Sequence, residues 1–190
     1  MSSDNPIQWL EKIVFKDKEA FERFYDHFAP MTYGLSLKIL ARPMDAQEVL
    51  QDVFLEVWNR ASSYNEARGT LKAWLVTMTR SRSIDRLRAR KRRHMNVDSI
   101  DALAASKNGF DIAIPKNSGQ SEAQLSLQGI LEEISAEERK VLEMAYFEGR
   151  TQSEIAQLLE WPLGTVKTRM RQGLKTLRTA IERKEKRVPV

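Results

Sequence analysis

Helical periodicity runs through most of this 190-residue chain and is interrupted by one long stretch that has none. Apolar residues recur every three or four positions in eight segments, whereas the strict alternation that is typical of strands is absent. The predicted helices span 7–15, 17–41, 44–61, 70–92, 122–133, 135–148, 151–159 and 163–185. Pro30 is expected to kink or divide the second helix. The sequence therefore predicts an all-α fold.

The interruption covers residues 94–121, which mix Ser, Asn, Gly, Asp and Pro with isolated apolar residues. This composition is typical of a linker, and a coil of that length would span about 30 Å. We predict two small helical domains, residues 1–93 and 122–190, joined by a flexible linker over 94–121.

Residue content excludes several kinds of chemistry. The chain has no Cys, which excludes disulfides, zinc–thiolate sites and thiol catalysis. The two histidines, His27 and His94, argue against a His-rich site, so we expect no metal and no cofactor. The sequence has neither an apolar run of about 18 residues nor a signal-like N-terminus. We therefore expect a cytoplasmic protein without membrane contact of its own.

The net charge of +5 conceals an uneven distribution. Residues 80–93 and 163–190 each carry a net charge of +7, whereas residues 1–79 carry −2 and residues 94–162 carry −7. Either basic run alone could be a solvated helix face. Because both runs fall on predicted helices, together they favour two contacts with a nucleic acid.

Residues 151–185 show the pattern of a helix-turn-helix. Thr151 and Glu154 fit a capping box that opens a short helix. Residues 160–164 then form a turn, and a longer basic helix can begin at Thr165. On a helical wheel, one arc is apolar and should pack on the preceding helices: Val166, Met170, Leu174, Leu177 and Ile181. The opposite arc carries donors that can reach base edges and phosphates: Lys167, Thr168, Arg171, Gln172 and Lys175. Arg169 and Arg178 lie on the flanks, where phosphate contacts are expected. The alternative is an amphipathic helix with an ordinary polar face.

The predicted helix 44–61 combines carboxylates with a wide apolar arc. The carboxylates of Asp45, Glu48, Asp52 and Glu56 fall within about 80° of each other. The apolar arc beside them is wider than one packing face needs: Ala46, Val49, Leu50, Val53, Phe54, Val57 and Trp58. This combination predicts a protein partner that is basic or amide-rich. A metal or acid/base role is the alternative, although no second ligand cluster accompanies the carboxylates.

The loop before the first basic helix offers Tyr64, Asn65 and Arg68. Polar and aromatic side chains beside a basic helix suit single-stranded DNA, whose unstacked bases are held by stacking and by edge hydrogen bonds.

Residues 45–93 and 131–178 carry specific motifs. They are D-A-x-x-x-x-Q-[DE]-V-F from Asp45, A-W-L from Ala73, I-D-R-L-R from Ile84 and G-T-V-K-[ST]-R from Gly164. In these segments the chain resembles the promoter-melting and promoter-reading domains of extracytoplasmic-function (ECF) sigma factors. With residues 7–44, the resemblance covers nearly everything except the linker.

The resemblance implies roles for particular residues. Core RNA polymerase would be bound by Asp45, Glu48, Gln51, Asp52, Phe54 and Trp58. Bases of the −10 promoter element would be captured by Tyr64, Asn65, Arg68, Ser81, Asp85 and Arg88. The −35 element would be read by Thr165, Lys167, Thr168, Arg169, Arg171, Gln172 and Lys175.

The resemblance also implies that an anti-sigma factor controls the chain and that the polymerase, not this chain, performs the catalysis. Two other functions remain open at this point. An autonomous helix-turn-helix regulator would explain residues 135–185 but would leave the acidic helix and the first basic helix unused. A nucleic-acid enzyme would need clustered carboxylates or histidines, and the sequence shows none.

Overall fold

The structure is a computed structural model that describes residues 5–95 and 133–185. These residues form seven α-helices: α1 (Pro6–Val14), α2 (Lys18–Leu40), α3 (Pro43–Arg60), α4 (Leu71–Met95), α5 (Ala136–Tyr146), α6 (Gln152–Leu159) and α7 (Leu163–Glu185). Two short 3₁₀ turns, Ala61–Ser63 and Glu66–Arg68, lie between α3 and α4, and no strand occurs among the described residues. The all-α prediction is confirmed.

The chain divides into two compact units, Met1–Asn96 and Val97–Val190. The N-terminal unit contains α1–α4, and the C-terminal unit contains α5–α7. Most of the predicted linker and the helix predicted over 122–133 lie outside the described residues, so both stay predictions.

Local signals set the helix boundaries of the N-terminal unit. The Asn5 side chain accepts a hydrogen bond from the Ile7 N–H, and the Asp17 side chain accepts one from the Ala20 N–H, which caps α1 and α2. The second helix then continues through Pro30. Of the two predicted effects of Pro30, division of the helix is therefore wrong, and a kink stays a prediction. Packing of α2 against α1, α3 and α4 compensates for the one backbone hydrogen bond that proline cannot donate.

A core of apolar and aromatic side chains joins the first four helices. Phe24, Leu40, Val53, Val57 and Leu75 are fully buried. The rings contributed by α2 and α3 meet mostly edge to face, an arrangement that stabilises aromatic clusters beyond their buried area.

A seam of small polar residues lies between α2 and α4. Its members are Thr32 and Ser36 on α2 and Thr79 and Ser83 on α4, and all four are fully buried. The Thr79 hydroxyl donates to the Leu75 carbonyl at 2.7 Å, and the Ser83 hydroxyl donates to the Thr79 carbonyl at 2.8 Å. The Thr32 hydroxyl has no hydrogen-bond partner among the described residues. Thr32 therefore bears a desolvation cost that no bond offsets.

Thr32→Val is expected to raise the free energy of unfolding of the N-terminal unit by about 1 kcal/mol, because it removes an unpaired buried hydroxyl at nearly constant shape. Urea unfolding would be followed by tryptophan fluorescence in a Trp161→Phe background, where only the N-terminal unit reports. Thr79→Val is the matched control and should destabilise the unit, because its hydroxyl is bonded. Equal effects of the two substitutions on the free energy of unfolding would contradict the conclusion that the Thr32 hydroxyl is unpaired and the Thr79 hydroxyl is bonded.

The C-terminal unit is built around Val141, Met144, Ala145, Ile155 and Val166. Capping boxes open α5 and α6: Ser135 pairs with Glu138, and Thr151 pairs with Glu154. The left-handed Glu160 ends α6, and α7 begins at Leu163 with Thr165 in its first turn. The predicted helix-turn-helix is confirmed.

The predicted apolar arc of α7 is only partly buried. Val166 is buried, whereas Leu174 and Ile181 are 42% and 45% exposed. The helix packs instead along Gly173 and Ala180. A Cβ atom on Gly173 would lie 2.9 Å from Leu142 Cδ1 and 3.2 Å from Glu138 Cβ, so the missing side chain is what lets α7 approach α5 closely. The packing face is therefore rotated from the predicted one.

Gly173→Leu is expected to destabilise the C-terminal unit by about 2 kcal/mol, because no space exists for the side chain against α5. Thermal unfolding followed by Trp161 fluorescence would measure the loss in a background whose other tryptophans are replaced by Phe. Gly34→Ala in α2 is the opposite case, since a Cβ atom added at Gly34 would meet nothing within 4 Å. It should stabilise its helix by up to about 1 kcal/mol. A neutral Gly173→Leu would show that the α5–α7 contact is loose.

Candidate functional site

The α3 helix presents an exposed stripe that mixes polar and apolar side chains. Glu48, Gln51 and Asp52 are exposed, as predicted for a binding surface. Met44 and Leu55 lie on the same face and are 76% and 59% exposed. We call these five residues the α3 stripe. Met44 and Leu55 were not predicted from the sequence, although a wheel places both on the polar arc, where an apolar side chain is out of place.

Phe54 does not belong to this surface. It is only 2% exposed, and its ring packs against Tyr25 at 4.6 Å and against Phe21 and Phe24 at 6.2 Å between centroids. A side chain enclosed in this way cannot make the polymerase contact that the motif implied. Phe54 instead holds α3 on α2.

Trp58 occupies an intermediate position at the end of α3. Its ring lies 5.1 Å from that of Phe21, and the Lys16 ammonium sits 5.0 Å from its centroid. The Lys16 ammonium also donates to the Trp58 carbonyl. The Trp58 side chain is thus partly engaged within the unit, and its contact with a polymerase stays a prediction.

The other edge of α3 is joined to α4 by ion pairs. Arg82, Arg86 and Arg90 follow one another at four-residue spacing, and we call them the arginine stripe. Arg86 Nε donates to Asp45 Oδ1 at 3.0 Å, and Arg90 Nη1 donates to Asp45 Oδ2 at 3.0 Å. Arg86 also pairs with Glu48.

The network continues at both ends. Glu56 pairs with Arg82 at 2.6 Å and with Arg60 at 2.8 Å. Arg90 also donates to the Leu40 carbonyl at 3.2 Å, near the end of α2. Three arginines of the 80–93 run are therefore neutralised within the unit, which corrects the expectation that the whole run faces a polyanion.

Asp45 shows the electrostatic effect of this network. Its partial burial would raise its pKa, but the hydrogen bonds and charges of Arg86 and Arg90 outweigh burial, so the pKa lies below the usual 3.8. The hydrogen bond from Arg82 to Glu56 likewise raises the pKa of Arg82. The side chain of Asp45 is 17% exposed, so it is a group that links helices rather than an open contact point.

The lowered pKa of Asp45 predicts a pH dependence of stability. A carboxyl whose pKa is lower in the folded state stabilises the fold above its unfolded pKa, and this contribution is lost as pH falls through the folded pKa. Asp45→Asn should therefore be less stable than the wild type at pH 7, and the difference should shrink as pH falls below the usual pKa of 3.8. Urea unfolding at a series of pH values would show this. Asp52→Asn, on the exposed side of α3, is the control, and a pH-independent deficit for Asp45→Asn would contradict the linkage.

The loop before α4 is shaped by two of its predicted site residues. The Tyr64 hydroxyl donates to the Gly69 carbonyl at 3.2 Å, and its ring lies 5.6 Å from Trp74. Asn65 Oδ1 accepts from the Ala67 N–H at 2.9 Å and caps the second 3₁₀ turn. Both side chains thus hold the loop in shape, and Arg68 is exposed at its end.

Ser81, Asp85 and Arg88 are exposed on α4. Their spacing of four and three residues places them on one helix face. On a wheel, the centre of this face is separated from the centre of the arginine stripe by roughly a third of a turn. The structure therefore brings these three predicted residues together, and we call them the α4 face.

The exposed face of α7 carries most of the predicted reader of double-stranded DNA. Lys167, Thr168, Arg171, Gln172 and Lys175 are all exposed, and Thr165 is half-buried in the first turn. Arg169 differs, because its guanidinium pairs with Glu137 of α5 at 2.7 Å. This pair engages one guanidinium nitrogen of Arg169 within the unit, and a contact of Arg169 with the −35 element stays a prediction.

Two kinds of feature are absent from the described part of the chain. Residues 5–95 and 133–185 contain no group of three or more His, Asp or Glu side chains placed to hold a metal ion. No helix in these ranges is both long and apolar enough to cross a membrane.

Comparison with known proteins identifies the family. Residues 24–93 match the family model for Sigma-70 region 2, and residues 124–177 match that for Sigma-70, region 4. The chain is 32% identical over 176 residues to the ECF RNA polymerase sigma factor SigK of Mycobacterium bovis (strain BCG / Pasteur 1173P2), with 91% of each chain covered. The chain belongs to the ECF RNA polymerase sigma factors. The resemblance inferred from the motifs is confirmed.

Other known proteins are similar to this sigma factor. SigK of Mycobacterium ulcerans (strain Agy99) is 32% identical over 183 residues, and 95% of each chain is covered. A solved structure of Rhodobacter sphaeroides SigE in complex with the anti-sigma ChrR is 26% identical, with a TM-score of 0.47, and covers 92% of this chain and 99% of that chain.

Proposed function

We propose that this sigma factor binds core RNA polymerase through the α3 stripe, captures unpaired bases of the −10 element with the N-terminal unit and reads the −35 element with α7. One observation carries the proposal. This sigma factor has an exposed stripe of apolar and polar side chains on α3 in one unit and an exposed donor face on a helix-turn-helix in the other.

The chemistry of the α3 stripe fits a protein partner. Met44 and Leu55 expose apolar surface that only burial against another molecule removes from water. Glu48 and Asp52 flank them and favour a basic or amide-rich surface. This is the anatomy of an interface with an apolar centre and a charged rim.

The two DNA surfaces differ in the form of DNA that they suit. The side chains of Arg171 and Gln172 lie in the first half of α7, where a recognition helix contacts base edges in the major groove. The α4 face and the adjoining loop offer donors and acceptors to an unstacked base. The chain itself makes and breaks no bond and needs no cofactor, and the polymerase in the cytoplasm catalyses RNA synthesis.

An anti-sigma factor is the expected regulator. Met44 and Leu55 are exposed, and a regulator that covers them would exclude the polymerase. Because the chain has no Cys, redox or thiolate-based sensing would reside in that partner.

Run-off transcription with core RNA polymerase on a promoter library tests the function. We expect transcripts only when the chain is added, from promoters that share two sequence elements at a constant spacing. Absence of transcripts, together with tight promoter binding by the chain alone, would favour an autonomous regulator. Processing of nucleic acid by the chain without polymerase would favour an enzyme.

A further inference from the structure

Arg86 lies between the two functional faces of the N-terminal unit. It bonds Asp45 and pairs with Glu48, and Glu48 belongs to the α3 stripe. In sequence it directly follows Asp85 of the α4 face. One guanidinium thus connects the helix proposed to bind polymerase with the helix proposed to bind the −10 element.

We propose that Arg86 and Asp45 are positioning residues for promoter opening: together they fix the rotation of α4 on α3 and so aim the α4 face at the unpaired base. This inference rests on the proposed function. It assigns to Asp45 an internal role in place of the direct polymerase contact that the family motif implies.

The packing beneath the arginine stripe leaves a role for these ion pairs in orienting α4. The α2–α4 contact includes Thr79 and Ser83 on α4 and Ser36 on α2, where the Ser83 and Ser36 hydroxyls lie 3.5 Å apart. Side chains this small interdigitate less than large apolar ones, so along this part of the contact they limit the rotation of α4 less. The arginine stripe lies beside the seam, where a rotation of α4 would separate its ion pairs.

The geometry of Arg86 favours a role in orienting α4 over a role in stabilising the fold. Its side chain is 32% exposed, and ion pairs of that exposure contribute little to the free energy of unfolding. A planar guanidinium that bonds two carboxylates nevertheless fixes the orientation of its helix relative to theirs, whereas an ammonium does not. A rotation of about 20° would move side-chain ends on α4 by about 2 Å, enough to break a hydrogen bond to a base.

A direct contact between Arg86 and DNA phosphate fits the structure poorly. Its Nε and Nη2 groups already face Asp45 and Glu48. With Arg90, these four side chains carry two positive and two negative charges, so the cluster as a whole offers no attraction to a polyanion.

The test uses the full chain bound to core polymerase and a fork-junction promoter with 2-aminopurine at the captured −10 base. The variants are Arg86→Gln, Asp45→Asn and their combination. Arg60→Gln is the matched control, since it removes a pair to Glu56 within α3 and leaves the link to α4 intact. Binding to an isolated −35 duplex is measured in parallel, and fluorescence melting confirms that each variant is folded at the assay temperature.

We expect each single variant to weaken base capture about tenfold, the combination to be no worse than either, and −35 binding to be unchanged. Arg60→Gln should behave as the wild type. Because the phosphate contacts are untouched, the slope of log affinity against log salt should also stay unchanged. Arg86→Lys keeps the positive charge but loses the planar guanidinium, so base capture should be weakened in this variant as well. If Arg86→Gln unfolds, Arg86→Lys replaces it in the test.

Three results would overturn the inference. The first is base capture by Arg86→Gln at the wild-type affinity. The second is a salt slope for Arg86→Gln that is lower than that of the wild type by about one, which indicates a direct phosphate contact. The third is a loss of base capture in Arg60→Gln equal to that in Arg86→Gln. Failure of the wild type to initiate with core polymerase would instead overturn the proposed function, and this is recognised without any variant.

Discussion

Leu55→Asp is expected to weaken binding of the sigma factor to core RNA polymerase by about 30-fold or more. Leu55 lies within the α3 stripe, where 59% of it is exposed with Glu48 and Gln51 on the same face. A leucine near the centre of an interface typically contributes through complete desolvation, and a buried charge there is costly. Fluorescence anisotropy of labelled chain titrated with core polymerase would measure the affinity.

Exposure also makes this prediction separable from misfolding. Because Leu55 packs little within its own unit, Leu55→Asp should leave the unfolding transition of the N-terminal unit nearly unchanged. Leu158→Asp is the matched control, since that leucine is 52% exposed but lies in α6 of the other unit. Equal losses of affinity in both variants would show that the effect is not specific to the α3 stripe.

The helices were predictable because their signals are local. The capping box at Thr151, the caps at Asp17 and Asn5 and the helical period are all contained within a few residues of sequence. The same S-x-x-E pattern precedes α5 at Ser135 and Glu138. Pro30 is the exception, because its effect was decided by tertiary packing.

The assignment of surfaces was less predictable, because it depends on which helix packs beside which. A wheel of α3 shows one polar arc, but it cannot show that Asp45 and Glu56 face arginines from α4 while Asp52 faces outward. That division follows from the pairing of α3 with α4. The family motif likewise groups exposed residues such as Asp52 with residues such as Phe54 that support them from inside the core.

The packing face of α7 shows the same limit on a smaller scale. Periodicity placed Leu174 and Ile181 in the core, because it weighs large apolar residues and gives no weight to glycine. The structure packs the helix along Gly173, where close approach replaces side-chain burial. The predicted DNA-reading face on the other side of the helix is unaffected by this rotation, since Lys167, Thr168 and Arg171 are exposed.

Arg171→Ala is expected to weaken binding to the −35 element by about 10- to 100-fold and to leave the affinity for core polymerase unchanged. Arg171 is exposed on the first half of α7, where a guanidinium can contact a guanine edge with two hydrogen bonds worth about 1–3 kcal/mol. Electrophoretic mobility shifts of the holoenzyme on a selected promoter and on single-base variants would measure both affinity and discrimination.

Arg178→Ala separates base reading from general electrostatics. Arg178 is two turns further along α7, its side chain is 82% exposed, and it pairs with Glu182 at 2.9 Å. A phosphate contact there would make the loss similar on all sequences and would lower the salt slope by about one. Loss of Arg171 should instead remove discrimination at one base pair, because only a contact with a base edge distinguishes sequences. If Arg171→Ala weakened all promoters equally, Arg171 would be a phosphate contact, and the base readout would have to come from Lys167, Thr168, Gln172 or Lys175.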